Sequence, residues 1–303
     1  MKKSRECRLV DADKSSGSRS QRFESQVTTG ILVAIGMVAV LCSCETKSKN
    51  LIQAVQESDY ATANRLISRD SDVNMKDAKG TTPLMWAAYK ADAKMVSLLL
   101  DKSAAVDATN DEGFTALSWA SRAGSTTVVD MLLRKGASIE AADHYGRTPL
   151  IIASELGNSG VVQLLLRNGA DTDARCISVN ASQGATALIW AAYRGETETA
   201  RILLDSGAKI DSHDERGWTA LIQAATAGQQ EVVELLIERG GNTDAQDVDG
   251  YTALIWAAER GQSDVVEMLV KVGANVQITN KKGMTALEVA KAKGNDRIVE
   301  LLR

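Results

Sequence analysis

The chain has two histidines, His144 and His213, which lie in glycine-containing segments between apolar runs. His213 stands beside Asp211, Asp214 and Glu215, a set of nitrogen and oxygen ligands that could hold a metal ion if they converged. Aspartates in short loops, however, commonly bond to their own backbone, and that role alone explains their presence here. We therefore predict no metal site and no catalytic histidine.

Other motifs that carry chemistry are absent from the sequence. It has no Gly-x-Ser-x-Gly nucleophile elbow, no glycine-rich phosphate loop before a helix and no Cys-x-x-Cys pair. The carboxylates are scattered as expected for a solvated surface. We predict that the protein is not an enzyme and uses no cofactor, and that any activity resides in a partner.

The aromatic residues point instead to recognition, because four of the five tryptophans occupy one position of a short pattern. The pattern reads TPLMWAAYKA from Thr82, TALSWASRAG from Thr115, TALIWAAYRG from Thr186 and TALIWAAERG from Thr252. Tryptophan, tyrosine and arginine are the residues that dominate protein interfaces. A repeated Trp with nearby Tyr or Arg therefore predicts contact with another protein.

The pattern belongs to an internal repeat. A glycine precedes each Thr-Ala-Leu or Thr-Pro-Leu by two residues, at Gly80, Gly113, Gly146, Gly184, Gly217, Gly250 and Gly283, in steps of 33, 33, 38, 33, 33 and 33 residues. This period and the Gly-x-Thr-[Pro/Ala]-Leu start resemble the ankyrin repeat. The resemblance implies an all-α repeat fold, an ankyrin solenoid of helix-turn-helix units joined by extended tip loops, over everything after the N-terminal segment.

Each unit contains residues that explain its own helices. Thr82 is suited to cap a helix and Pro83 to begin it, since a missing N–H costs nothing in the first turn. A second helix carries an apolar run such as MVSLLL at 95–100, and a left-handed glycine is expected after it, although Asp70 and Ser103 stand there in the first two units. An Asp or Asn three residues before each repeat glycine is expected to satisfy the turn of the tip loop, except in the lengthened unit.

The boundaries follow from this phase. We predict a signal segment at 1–43, a tether at 44–49 and an N-terminal capping repeat at 50–75. Full repeats are expected at 79–108, 112–141, 145–174, 183–212, 216–245 and 249–278, followed by a C-terminal capping repeat at 282–303.

Two features depart from the ankyrin pattern. The histidine that usually follows Pro-Leu is replaced by Met85, Ser118, Ile151, Ile189, Ile222, Ile255 and Glu288, so packing must take over from its hydrogen bonds. The 38-residue step adds five residues within 175–184. This insertion is either part of a binding side or a tolerated surface loop.

The N-terminal segment has the features of an export signal. The apolar run from Ile31 to Leu41 is shorter than the roughly 20 residues that span a bilayer, but it fits the core of a signal peptide. It leads into Leu41-Cys42-Ser43-Cys44, which resembles the lipobox of bacterial lipoproteins and implies lipidation of Cys44. We expect a lipid-anchored protein of the bacterial cell envelope that faces the periplasm.

The 30 residues ahead of this run are long for a signal peptide, so a cytoplasmic protein with an uncleaved tail is the alternative. On the lipoprotein interpretation Cys7 and Cys42 are removed and Cys44 is lipidated, so Cys176 is the one unmodified cysteine that remains, either inert or an intermolecular partner.

The distribution of charge along the chain argues against nucleic acid as a partner. The formal net charge of −4 divides unevenly: residues 1–43 hold seven Lys/Arg against four Asp/Glu, so the remainder carries −7. Phosphate binding needs a basic surface, and we therefore expect no nucleic acid. We expect a monomer that touches the membrane only through its lipid.

Two sets of side chains are predicted to contact the partner. On a helix that turns 100° per residue, Leu84, Ala87 and Ala88 share the packed face and the tryptophans lie opposite, half buried between units or over the concave surface. This helix set is Trp86, Tyr89, Trp119, Arg122, Trp190, Tyr193, Arg194, Trp256 and Arg260. The tip set, expected to be exposed and ranked first, is Phe114, Tyr145, Trp218 and Tyr251.

The sequence thus predicts a non-catalytic scaffold that binds, and protects or inhibits, an exported partner protein. The alternative class is an unexported adaptor or a structural envelope protein. A small-molecule or glycan binder that uses the row of tryptophans is a third hypothesis.

Overall fold

The computed structural model describes residues 49–69, 71–177 and 183–303, in which sixteen helices form eight pairs. The first helices of the pairs are α1 (Leu51–Gln56), α3 (Pro83–Tyr89), α5 (Ala116–Ala123), α7 (Pro149–Glu155), α9 (Ala187–Arg194), α11 (Ala220–Ala227), α13 (Ala253–Arg260) and α15 (Ala286–Lys293). The second helices are α2 (Tyr60–Ile67), α4 (Ala93–Asp101), α6 (Thr126–Arg134), α8 (Ser159–Arg167), α10 (Thr197–Asp205), α12 (Gln230–Glu238), α14 (Ser263–Lys271) and α16 (Asp296–Leu301). These ranges contain one isolated β-bridge, His213 with Thr219, and no strand, so the predicted all-α repeat fold is confirmed.

The predicted helix signals are confirmed at both ends. From α3 onward every first helix begins after a threonine whose Oγ1 accepts a hydrogen bond from the backbone three residues later, at 3.3 Å in Thr82 to Met85. The second helix α6 is followed by Gly136, whose φ of 85° is left-handed. Ser103 adopts the same backbone at φ 61° without glycine, whereas Asp70 lies outside the described residues.

The face on which each first helix packs is the predicted one. Leu84, Ala87 and Ala88 are fully buried against the core. Where ankyrin repeats usually have histidine, Ile151 is also buried, as are the isoleucines of the later units. Glu288 instead caps α15, accepting from the Thr285 backbone at 2.6 Å, and this bond lowers the pKa of its carboxyl group. Packing and local caps thus replace the histidine network.

Neighbouring helix pairs pack most closely along their first helices. Consecutive first helices pack more closely on one another than consecutive second helices do. Because solenoids curve, we infer that the side formed by the first helices is the concave side. Side chains that leave the first helices opposite their packed face line this concave side.

The tip loops are joined from unit to unit by backbone hydrogen bonds of 2.8 to 3.0 Å, such as Asp111 to Lys79 and Val248 to Arg216. The lengthened unit keeps both of its bonds, because the Ile177 N–H donates to Tyr145 and the Gln183 carbonyl accepts from Glu215. We call this series the tip ladder. The additional residues thus lie between Ile177 and Gln183 in the sequence, and the tip ladder continues through the lengthened unit.

None of the helices in the described part of the chain is long and apolar enough to cross a membrane. The predicted signal segment, Cys42 and Cys44 lie outside the described residues.

Candidate interaction surface

The tip aspartates fix the first helices to the loops. Asp247 accepts the N–H groups of Asp249 at 2.9 Å and Tyr251 at 2.8 Å on one carboxylate oxygen. Its other oxygen accepts the indole N–H of Trp256 at 2.8 Å. The predicted turn role of these residues is confirmed, but sequence reasoning missed that the second oxygen accepts from a tryptophan of the helix set.

Asp77 repeats this arrangement in the second unit, with its indole bond from Trp86 at 3.0 Å. Burial acts to raise the pKa of Asp77, but hydrogen bonds from the backbone of Thr81 and Lys79 and from the indole outweigh it, so the pKa lies below its usual value. This tip is therefore charged in neutral solution.

Trp119 and Trp190 lack such a bond, and their buried indole nitrogens have no hydrogen-bond partner within the described ranges. The residue nine positions before Trp119 is Asn110, whose Oδ1 already accepts from Glu112 at 3.0 Å and Phe114 at 2.8 Å. The corresponding residue before Trp190 is Ala181. Packing alone therefore positions these two indoles.

Aromatic contacts link the tryptophans of the second and third units. The ring centroids of Trp86 and Tyr89 are 6.1 Å apart, and Tyr89 is 5.1 Å from Trp119 of the next unit. Phe114 lies 5.2 Å from Trp119 and is only 3% exposed, so the prediction that it is an exposed tip residue is wrong. The Phe114 ring points inward and packs beside the Trp119 indole, so it is shielded from solvent.

A second aromatic group lies in the sixth and seventh units. Trp256 contacts Tyr251 at 4.7 Å and Trp218 of the preceding unit at 4.8 Å. Cationic groups lie over the rings, with Arg216 at 4.5 Å from Trp218 and Arg260 at 5.6 Å from Trp256. Burial, followed by the negative charge of Glu259, raises the pKa of the Tyr251 phenol, which therefore stays neutral at physiological pH.

The remaining predicted contact residues are exposed to different extents. All four helix-set tryptophans are half buried, as expected, and so are Trp218 and Tyr251, which were expected to be exposed. The exposed members of the two sets are Tyr89, Arg122, Tyr145, Tyr193, Arg194 and Arg260. They show that the concave side, rather than the tips alone, presents the aromatic and arginine groups.

Two hollows open on this side. The smaller, about 350 Å³, lies among Asp77, Lys79, Trp86, Tyr89 and Trp119. The larger, about 610 Å³, is lined by Glu155, Trp190, Tyr193, Arg194, Arg216, Trp218, Gln223, Thr226, Ala227 and Arg260, together with Ala185 and Ile189. We call it the C-terminal groove.

The lining residues of the C-terminal groove that sequence reasoning missed include Glu155, Arg216, Gln223 and Thr226. The available signal was the helix position at which Gln223 stands, because both neighbouring units have tryptophan there, at Trp190 and Trp256. A search for repeated tryptophans overlooks a position at which the tryptophan is replaced.

Charged groups in the groove are partly paired. Arg194 forms an ion pair with Glu155 at 2.6 Å, and Arg147 reaches the same carboxylate at 3.5 Å. Arg216 pairs with the fully buried Asp214 at 3.1 Å. Arg260 makes no ion pair with any described residue, so its guanidinium is available to a ligand.

Neither histidine belongs to a ligand cluster. In the part of the chain that the structure describes, no group of three or more His, Cys, Asp or Glu side chains could hold a metal ion. His144 and His213 are exposed at separate tips, and Asp214 bonds the backbone of Arg216 and Trp218.

Comparison with known proteins gives the same architecture. A family model described as ankyrin repeats, in three copies, matches residues 51–143, 172–247 and 239–303, and a single ankyrin-repeat model matches residues 145–177. No curated protein matches the chain. Ankyrin repeats support protein–protein interaction and are typical of non-enzymatic scaffolds. From its matched repeats and its paired helices, the chain belongs to the ankyrin-repeat family.

Proposed function

We propose that the protein is a non-catalytic scaffold that binds another protein on the concave side of the stack. The observation that carries this proposal is the row of exposed tyrosines and arginines on the first helices, at Tyr89, Tyr193, Arg194 and Arg260. Their backbones belong to packed helices and their neighbours are half-buried indoles. Such rigid aromatic groups lose little conformational freedom when a partner covers them.

Site-specific photo-crosslinking tests the assigned side. A photoreactive residue is placed at Tyr89 or Tyr193 on the concave side, and at Gln163 on α8 as a control that is also exposed but lies on a second helix. In cells that make the protein, we expect a discrete adduct from the first two positions and none from the third. Adducts only from Gln163 would place the binding surface on the opposite side.

The proposal extends to location. The lipobox-like Leu41-Cys42-Ser43-Cys44 supports cleavage before Cys44, attachment of lipid to its thiol, and an exported partner at the bacterial envelope. Several acyl chains together anchor a protein stably where a single chain is marginal. Mass spectrometry of the mature protein tests this part: a chain that begins at acylated Cys44 is expected, and an intact segment 1–43 would favour the cytoplasmic adaptor instead.

A further inference from the structure

We propose that the C-terminal groove binds an acidic segment of the partner protein, with an apolar side chain of that segment filling the hollow over α11. The inference rests on the protein-binding function proposed above. It adds the location of the principal contact and the chemistry of the group that occupies it.

The hollow exists because α11 lacks the large side chains of its neighbours. At the fourth, seventh and eighth positions after the capping threonine, α9 presents Trp190, Tyr193 and Arg194. Helix α11 presents Gln223, Thr226 and Ala227 at those positions. The missing volume leaves a space of about 610 Å³, within the range of about 300 to 1,000 Å³ that is usual for ligand pockets.

The walls of the groove are aromatic and held in place. Trp190 lies against Tyr193 on one side, with 6.3 Å between their ring centroids. On the other side Trp218 is fixed between Arg216 at 4.5 Å and Trp256 at 4.8 Å. An apolar side chain placed over Thr226 would therefore meet rigid aromatic surface, the kind of pocket in which interface anchors bind.

The charge of the groove is opposite to that of the body that carries it. Three arginines line it, and two of them are paired with acids, Arg194 with Glu155 and Arg216 with Asp214, which leaves the positive charge of Arg260 uncompensated, whereas residues 44–303 together carry −7. Guanidinium groups bind carboxylates through paired hydrogen bonds. An acidic segment is thus attracted to the groove, and Arg260, which has no ion pair among the described residues, is its first carboxylate contact.

A direct test uses the purified full chain and two fluorescein-labelled peptides. One peptide contains Gly, Ser and Asp around a central Leu, and the other has Lys at every Asp position. We expect fluorescence anisotropy to detect binding of the acidic peptide only, with an affinity that falls as salt screens the charges. Equal binding of the two peptides would overturn the proposal.

Two variants locate the binding. Arg260→Glu reverses the unpaired charge, and we expect a dissociation constant at least about tenfold weaker, as for an arginine hot spot. Thr226→Tyr restores the bulk that α9 carries at this position, and we expect it to block the hollow without unfolding the half-exposed helix face, as circular dichroism would verify. Unchanged affinity in both variants would remove the groove from consideration.

The matched control is Arg167→Glu, which makes the same charge reversal at an exposed position of the second helix α8, outside the groove and outside both predicted contact sets. Its affinity should stay that of the parent chain. Self-association that Thr226→Tyr abolishes, measured by light scattering, would assign the groove to a second copy and overturn an acidic partner. Adducts from Tyr89 and Tyr193 without any effect of Arg260→Glu would leave the scaffold function intact and sink this inference alone.

Discussion

The four equivalent tryptophans of the first helices fall into two pairs that differ in one hydrogen bond. Trp86 and Trp256 donate to an aspartate nine residues earlier, whereas Trp119 and Trp190 have no partner for the same indole nitrogen within the described residues. The helices, caps and packed faces around them are alike. The residue at the tip therefore decides whether an indole is held by polar and apolar contacts or by apolar contacts alone.

This difference separates stability from recognition. A buried N–H without a partner costs free energy that a carboxylate acceptor would recover. Trp190 lines the C-terminal groove and lacks this hydrogen bond. Trp256 has it and packs against Trp218 at the opposite wall. We infer that the bonded tryptophans contribute more to the stability of the stack.

The largest effect is expected when the bonded pair loses its acceptor. Asp247→Ala removes three hydrogen bonds to a carboxylate, including that of the Trp256 indole, and should lower the free energy of unfolding by about 3 kcal/mol. Urea unfolding followed by circular dichroism measures it. Asp249→Ala, at an exposed neighbour, is the control and should cost little. Equal losses in the two variants would contradict the role assigned to Asp247.

A smaller difference is expected between two identical replacements of the indole. Trp256→Phe leaves a buried carboxylate oxygen without its donor, whereas Trp190→Phe removes a donor that has no partner. Both lose packing, so the first should be less stable than the second by about 1 to 2 kcal/mol in the same unfolding assay. A more destabilising Trp190→Phe would show that packing, rather than the bond, sets the order.

Acid should weaken the second unit through Asp77. Its pKa is lower in the folded chain than in the unfolded one, so its contribution is complete above the unfolded pKa and is lost as pH falls through the folded pKa. Stability measured from pH 6 down to pH 2 should fall less steeply for Asp77→Asn than for the parent chain. Parallel curves would contradict this assignment.

The smallest effect is expected from adding an acceptor to the unbonded pair. Asn110→Asp places a carboxylate nine residues before Trp119, in the arrangement of Asp77 with Trp86. We expect a gain of about 0.5 to 1 kcal/mol at pH 7, measured by urea unfolding and lost on acidification. The same change at Asn280, whose unit has Val289 instead of tryptophan, should give no such gain.

Much of the fold was predictable because each unit repeats its own signals. Thr82, Pro83 and Gly136 specify the ends of helices locally, and the 33-residue period places every copy. The binding surface was harder to predict from the sequence. Phe114 looked like an exposed tip residue because a pattern gives its position but not the rotation of its ring toward Trp119. The C-terminal groove arises because Gln223 stands where the neighbouring units have tryptophan. The resulting hollow can be recognised only once the neighbouring helices are placed around it.

The tip ladder has a consequence for how this chain can change. The added residues of the lengthened unit begin and end at adjacent points, since Gly184 donates to Cys176 at 2.8 Å and Ile177 and Gln183 each keep their bond to a neighbouring tip. A longer segment at this place would leave every unit in phase, and each doubling of a flexible loop costs only about 0.6 kcal/mol in closure entropy. The unit therefore offers an insertion point where new sequence can be acquired or grafted while the scaffold beneath it keeps its geometry.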